Sequence, residues 1–392
     1  MRIGVNALLL SAAHSYRNAG VSHYIHTLLE GLSRFDRANE YLVIVSDLAA
    51  AHDLPRSSQM TQRQVGWPSR HPAGRICWEQ VISPIMTRRA GVDLWHAPMH
   101  ALPLWLPCPG VITLHDLAFL RFPAFYSPSR RHYQTLLTRR SARRARLMIA
   151  VSEHTRREAS ELLHLPEERI RVIPPIIGEQ FLTACPAAEL AAFRQRHQMP
   201  EHYILFLGTL EPRKNILRLL EAYALLRRAS KLPHLLVLAG GRSTGKGEWY
   251  YRSLRKRIQE LQLGEHVRFL GHIPEEERYF WYHGADLFVY PSLYEGFGLP
   301  VAEALACGIP VVTTSVSSLP EVVGDDAAWG ARSALMVAPD DIETLAYTMQ
   351  EGIENFTLRQ HLQARGPARA RRFAAEALIQ QMMQVYEEAV TL

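Results

Sequence analysis

Twelve short apolar runs set the terms on which this chain can fold. RIGVNALLL, EYLVIVSD, VDLWHAP, GVITLHD, ARLMIAVS and RVIPP lie in the first half, and HYILFLGTL, HLLVLAGG, HVRFLGHI, ADLFVYPS, PVVTTSV and ALMVAP follow residue 200. Most are apolar at consecutive positions, the pattern of strands covered on both faces of a parallel sheet. Stretches with helical spacing separate them, and such β–α alternation builds doubly wound sheets. The rhythm restarts after VIPPIIGEQF, where prolines and the polar helix AAELAAFRQRHQMPEH intervene. The chain of 392 residues is long for one core. The expectation is therefore an α/β protein with two Rossmann-like domains facing across a cleft, 1–178 and 179–370. A final amphipathic helix over 371–392 has no strand after it. Ligands of such sheets bind at the carboxyl ends of the strands.

Composition narrows the class. Hydrophobic residues make up 47% and charged residues 21%, which excludes a disordered chain. A net charge of +6 suits anionic ligands or an anionic surface without requiring nucleic acid. Four scattered cysteines (Cys77, Cys108, Cys185, Cys307) form no C-x-x-C and fit a reducing compartment. No run of 18 apolar residues is present. The opening MRIGVNALLL is interrupted by Asn6 and reads as a buried first strand, so a cytoplasmic protein is expected.

The densest chemical signal is LYEGFGLPVAEALACGIPVV, residues 293–312. After the strand ADLFVYPS, Leu293 to Gly298 reads as a loop and Pro300 as the first helical residue, where a missing N–H costs nothing. The amides from Gly298 onward then crown a helix N-terminus that attracts anions. Glu303, one turn in, suits vicinal hydroxyls, and Glu295, in the loop, suits a hydroxyl-bearing group across a diphosphate. The competing reading makes both glutamates solvated, with Glu303 merely favoured by the helix dipole. Arg213 and Lys214 in EPRKN end the strand HYILFLGTL, positioned for phosphate oxygens or for a plain charged turn. His115 and Asp116 end the strand VITLHD, where the histidine either meets a substrate hydroxyl or is structural.

Three patterns mislead. GGRSTGKG (240–247) resembles a P-loop but puts Gly247 where the magnesium-binding Ser or Thr belongs. HAPMH (96–100) has two histidines, yet Pro98 breaks the helix that would align them on zinc. No D-x-D occurs, so a diphosphate's charge falls to Arg213, Lys214 and helix amides rather than to magnesium. Residues 121–160 hold ten arginines against two glutamates, interleaved with apolar positions as on an amphipathic basic helix. Such a face is either solvated or docked on anionic lipid.

With HD (115–116), IAVSEHT (149–155), GTLEPRKN (208–215), ADLFVYPSLYEGFGLPVAEALACGIPVV (285–312) and SLPEVVGD (318–325), the chain resembles a family 4 glycosyltransferase of the GT-B architecture over nearly its whole length. The resemblance implies a retaining, metal-independent transfer of a hexose from a nucleotide sugar to a saccharide or lipid-linked acceptor. GDP-mannose is its first donor candidate. Glu295 would contact the donor sugar and Glu303 the ribose. Arg213 and Lys214 would hold the diphosphate, and Gly296, Phe297, Gly298 and Leu299 would cover sugar and phosphates. The backbone at His272 and Ile273 would meet the base, and His115 would sit by the reacting carbon. Gly20, Asp116 and Thr209 complete the implied substrate contacts, and the final helix would pack back on the first domain. No cofactor or metal is implied, nucleic acid is not a partner, and the inner membrane face is a candidate surface. Two departures stand out: NAGVSHY has Ser22 where a second glycine is usual, and VIP is followed by Pro175 and Ile176 instead of Asn-Gly. The alternatives are a catalytically weak nucleotide-sugar-binding protein and a GT-B epimerase.

Overall fold

The structure, a computed structural model, describes residues 1–10, 19–46, 54, 57–65, 72–99, 101–241, 246–324 and 332–392. Two compact units emerge. The first comprises Met1–Ile176 together with Ala375–Leu392, and the second is Ile177–Ala374.

The first unit carries a seven-stranded sheet in the order β3-β2-β1-β4-β5-β6-β7. Its strands are β1 (Arg2–Ala7), β2 (Glu40–Val45), β3 (Met60–Gln64), β4 (Leu94–Ala97), β5 (Gly110–Leu114), β6 (Leu147–Ala150) and β7 (Ile170–Val172), and every pairing is parallel. Alternate residues serve opposite faces. Ile3, Val5, Tyr41, Val43 and Val45 pack against the helix Ala19–Phe35 and the C-terminal helix Ala375–Thr391, while Leu42, Ile44, Trp95 and Ile112 belong to a second core on the other face. Consecutive apolar residues are what two covered faces require. The strand without an apolar signature is β3, MTQRQ. Among the described residues it pairs only with β2 at the sheet edge, so backbone hydrogen bonds hold it and its side chains stay largely outside the core.

The second unit has six parallel strands ordered β10-β9-β8-β11-β12-β13. They are β8 (Tyr203–Leu207), β9 (Leu235–Ala239), β10 (Val267–Gly271), β11 (Leu287–Tyr290), β12 (Val311–Thr314) and β13 (Leu335–Val337). Counted from β8, this order runs 3-2-1-4-5-6, the doubly wound arrangement whose topological switch lies between the first and fourth strands. The switch point is thus between β8 and β11. In the first sheet it falls between β1 and β4.

The final helix starts at Ala375, because Arg371–Phe373 form a separate 3₁₀ turn. Its inward residues Leu378, Ile379, Met382, Val385 and Tyr386 join the first unit's core. Gly31 makes that packing possible: a Cβ there would stand 2.7 Å from Ile379 Cδ1.

Candidate active site

Arg213 and Lys214 leave β8 in a 3₁₀ turn, Pro212–Lys214, and Glu295 lies in the loop after β11. Because these strands are neighbours at the switch point, the three side chains meet. Lys214 Nζ donates to Glu295 Oε1 at 2.5 Å, and Arg213 Nη1 donates to Oε2 at 3.0 Å. Ser292 adds a hydroxyl donor to Oε1, and Tyr290 supplies its phenol oxygen to Lys214. Arg213 also pairs with Glu211 through Nε at 2.6 Å and donates to the Tyr294 carbonyl. Two cations and two carboxylates therefore form a neutral cluster with Lys214 and Glu295 both buried.

Burial pushes the Glu295 carboxyl up, but Lys214 and Arg213 outweigh it and hold the group down at about 2. Burial and Arg213 lower the Lys214 ammonium, with Glu295 opposing them. Charged hydrogen bonds of this kind contribute about 1.5–3 kcal/mol each.

The loop is held from the next strand connection. Ser317 accepts from the Glu295 amide at 3.0 Å, and Ser318 donates to the carbonyls of Glu295 and Phe297. Gly298, at φ +101°, turns the chain into the helix Leu299–Ala306. The helix thus begins at Leu299, one residue before the expected Pro300 start. At Gly298 a Cβ would be strained by the dihedral and would stand 2.7 Å from Leu319 Cδ2. Gly296 and Phe297 are buried and Leu299 is half-buried.

Glu303 belongs to a different cluster. Its carboxylate has no exposed surface, accepts from Tyr282 Oη at 2.8 Å, and lies 3.6 Å from Arg278 Nη1. Burial lowers the affinity of the Arg278 guanidinium for its proton, but Glu303 reverses that and the net shift is upward. Thr209, half-buried, follows β8; exposed His272 and buried Ile273 follow β10.

In the first unit, His115 follows β5. Its Nε2 lies 3.0 Å from the Pro98 carbonyl, which can only accept, so the proton is on Nε2 and Nδ1 is the acceptor. Burial lowers its pKa and keeps the ring neutral. Tyr24 meets the ring edge-on at 4.8 Å. Beneath it runs a buried chain: Tyr24 to Thr113 at 3.3 Å, Thr113 to His96 Nε2 at 2.9 Å, and His96 Nδ1 to Tyr386 at 2.8 Å. Asp116 is used locally, accepting from the Ala118 amide at 3.1 Å. Gly20 is exposed on the first turn of the helix Ala19–Phe35.

The fold thus brings Arg213, Lys214 and Glu295 together, and gives Glu303 and His115 separate surroundings. Ser292 and Tyr290 lie inside ADLFVYPSLYEG, Tyr24 inside NAGVSHY and Thr113 inside GVITLHD, but no role was drawn from them; Arg278 and Tyr282 carry no motif. His96, set aside with the HAPMH pattern, proves to be a core histidine. Its partner in that pattern, His100, and residues 242–245 of the P-loop lookalike lie outside the described residues, as does Asp325. All four cysteines are free thiols.

Two parallel doubly wound sheets, the second with a charge cluster at its switch point, are the architecture of the GT-B class of sugar-transferring enzymes. The family described as Glycosyltransferase Family 4 matches residues 18–180, and Glycosyl transferases group 1 matches residues 189–369. O-antigen chain mannosyltransferase B of Escherichia coli is 33% identical over 294 residues, 75% of this chain and 74% of that protein. Serotype-specific mannosyltransferase WbdA of Escherichia coli is 26% identical over 376 residues, 91% of this chain but 44% of that relative, so this chain spans less than half of its length. Among solved structures, Anabaena Alr3699/HepE in complex with UDP and glucose superposes with a TM-score of 0.75, covering 99% of this chain and 100% of that one at 20% identity, a likeness of fold. This chain belongs to the family 4, group 1 glycosyltransferases and is a glycosyltransferase.

Proposed function

We propose that the chain transfers mannose from a nucleotide sugar, GDP-mannose first, to a saccharide or lipid-linked acceptor in surface polysaccharide assembly. The named mannosyltransferases among its relatives support the sugar. The observation that carries the reading is the Arg213–Lys214–Glu295 cluster at the switch point of the second sheet. In this reading the second unit binds the donor and the first binds the acceptor.

The diphosphate of a nucleotide sugar competes with Glu295 for both cations. As Arg213 and Lys214 turn to the phosphates, Glu295 is released toward the sugar hydroxyls. Both cations then face the oxygen on which negative charge grows, the preorganised electrostatics that usually dominate a rate. The acceptor oxygen forms its bond to the anomeric carbon on the face from which the phosphate oxygen departs. The breaking C–O bond leaves its electron pair on the diphosphate, whose oxygen takes the acceptor's proton. Configuration is retained and no metal is required. His115 accepts a hydrogen bond from a substrate hydroxyl at Nδ1. A ribose contact by Glu303 requires its carboxylate to be uncovered first.

No helix among the described residues is long and apolar enough to cross a membrane. The arginine-rich surface of the first unit is proposed to dock on anionic lipid at the cytoplasmic face.

Thermal-shift screening of GDP, UDP and ADP sugars identifies the donor, since a ligand that binds only the native state raises stability. With that donor, Lys214→Ala is expected to lower turnover on the order of a hundred- to a thousandfold with the fold intact. Turnover within a few-fold of the parent removes the phosphate clamp. Loss of turnover in excess EDTA, restored by magnesium, contradicts metal independence.

A further inference from the structure

The second sheet carries another cluster, at the opposite ends of its strands. His202, His234 and Asp286 immediately precede β8, β9 and β11. These three strands are adjacent, with Tyr203 opposite Leu235 and Ile204 opposite Leu287. The register therefore sets three ligating side chains side by side on one edge. One ligand atom from each lies within 4.8 Å of the other two.

We propose that His202, His234 and Asp286 form a binding site for a divalent transition cation, Zn²⁺ in the first instance. His202 Nδ1 and His234 Nε2 each lie 3.3 Å from the same oxygen, Asp286 Oδ2. Those separations exceed the usual 2.7–3.2 Å of an N–H···O bond. These two separations match ligand–ligand edges of a zinc tetrahedron, about 3.3 Å for bonds near 2.05 Å; the third, between the two imidazole nitrogens, lies within 4.8 Å and closes as the exposed His202 ring turns toward the ion. The Oδ2 atom also accepts from the Tyr203 amide at 3.2 Å, so three nitrogens share one oxygen. A cation seated between the imidazoles and the carboxylate replaces two long contacts with short bonds.

The surroundings suit a bound ion. His234 is buried. It is held in place by packing, unlike a surface histidine free to turn away. The Arg359 guanidinium stands 3.9 Å from the second carboxylate oxygen, Oδ1, and is anchored on the Ile353 carbonyl. It therefore stands beside the carboxylate oxygen that the imidazoles do not approach, a charged outer neighbour to a ligating acid. The His202 side chain is 45% exposed, which leaves the fourth corner of the tetrahedron to solvent. Two imidazoles and one carboxylate favour zinc and its first-row neighbours over magnesium, which prefers an all-oxygen octahedron.

This site adjoins the amino ends of β8 and β11, whereas Arg213, Lys214 and Glu295 follow their carboxyl ends. A cation here ties three neighbouring strands together without touching the sugar-transfer chemistry. It is independent of the donor assignment, and its effect is on stability.

The full chain, stripped with chelator and desalted, is titrated with Zn²⁺ under equilibrium dialysis and with Co²⁺ by visible absorption. One Zn²⁺ per chain, a higher melting temperature, and the visible bands of tetrahedral Co²⁺ are expected. His202→Ala, at an exposed position, should keep the circular dichroism of the parent and bind Zn²⁺ on the order of a hundredfold more weakly. Asp286→Asn should also lose the ion. Sugar transfer by His202→Ala should match that of the parent. A parent chain that binds no zinc at micromolar concentration overturns the proposal, leaving a hydrogen-bonded trio. Equal binding by His202→Ala, or a preference for Mg²⁺ over Zn²⁺, overturns it as well.

Discussion

Glu295 is the residue on which the second unit's charge cluster depends. It is the shared counter-ion of two cations, one of them buried, and Glu295→Gln removes the charge while keeping the shape. Leaving Lys214 buried beside Arg213 without that carboxylate should destabilise the unit by about 3 kcal/mol, read as a lower urea midpoint at unchanged slope. The carboxyl is held at about 2 in the folded chain against an ordinary 4.5, so its stabilisation is present above 4.5 and is lost as pH falls from there toward 2. The variant should lack that part of the acid dependence. Superimposable acid profiles for the two proteins would refute the pairing. Glu295 and both cations were legible in the sequence as strand-end groups beside a glycine turn. Their bonding to each other was not, because it depends on β8 and β11 being neighbours although β9 and β10 intervene in the chain.

At the scale of elements, the parallel strands were the most readable and the basic helix the least. Strands covered on both faces must be apolar at successive positions, and the central strands β8, β9 and β11 of the second unit announce themselves so. Edge strand β3 needs no apolar face and was missed. Residues 121–160 were read as apolar positions interleaved with arginines, and the helix Pro128–Arg144 within them shows which side chains turn inward. Its buried positions are Thr138, Ser141 and Ala142, with the Ser141 hydroxyl accepting from the Leu102 amide, while Tyr133 and Leu136 face outward among the arginines. Small polar side chains suffice where the helix lies close to its neighbours, and periodicity cannot register them. The outward mixture of arginine with Tyr133, Leu136 and, nearby in the chain, Phe125 is the proposed lipid surface. Binding to anionic vesicles at low salt, lost at high salt, is expected. Arg139→Glu with Arg140→Glu should weaken partitioning by at least about 2 kcal/mol, roughly thirtyfold. Vesicle binding unaffected by the pair, or absent in the parent, would reject lipid docking.

The whole molecule is organised by a chain that leaves its first unit at Ile176 and returns at Ala375. The returning helix inserts Leu378, Ile379, Met382, Val385 and Tyr386 into the first unit's core, and Tyr386 also bonds His96 beneath the His115 region. Five such side chains contribute roughly 10 kcal/mol of burial, about the whole stability of an ordinary domain. A chain ending at Ala374 should therefore lose amide protection in β1, β2 and β5 and keep it in β8, β9 and β11, as read by hydrogen exchange. Retained protection in β1 and β5 would show that the helix is dispensable.

The sequence by itself determined the parallel strands other than β3, their grouping as a two-domain α/β fold and the family, because burial on two faces and glycine-bearing turns leave local marks in residue type and spacing. Only the tertiary structure decided which charges neutralise one another, that Glu303 is enclosed by Tyr282 and Arg278, and that two histidines and an aspartate share one sheet edge. Those outcomes follow from strand order and register, which join residues too distant in the chain for any local pattern to connect.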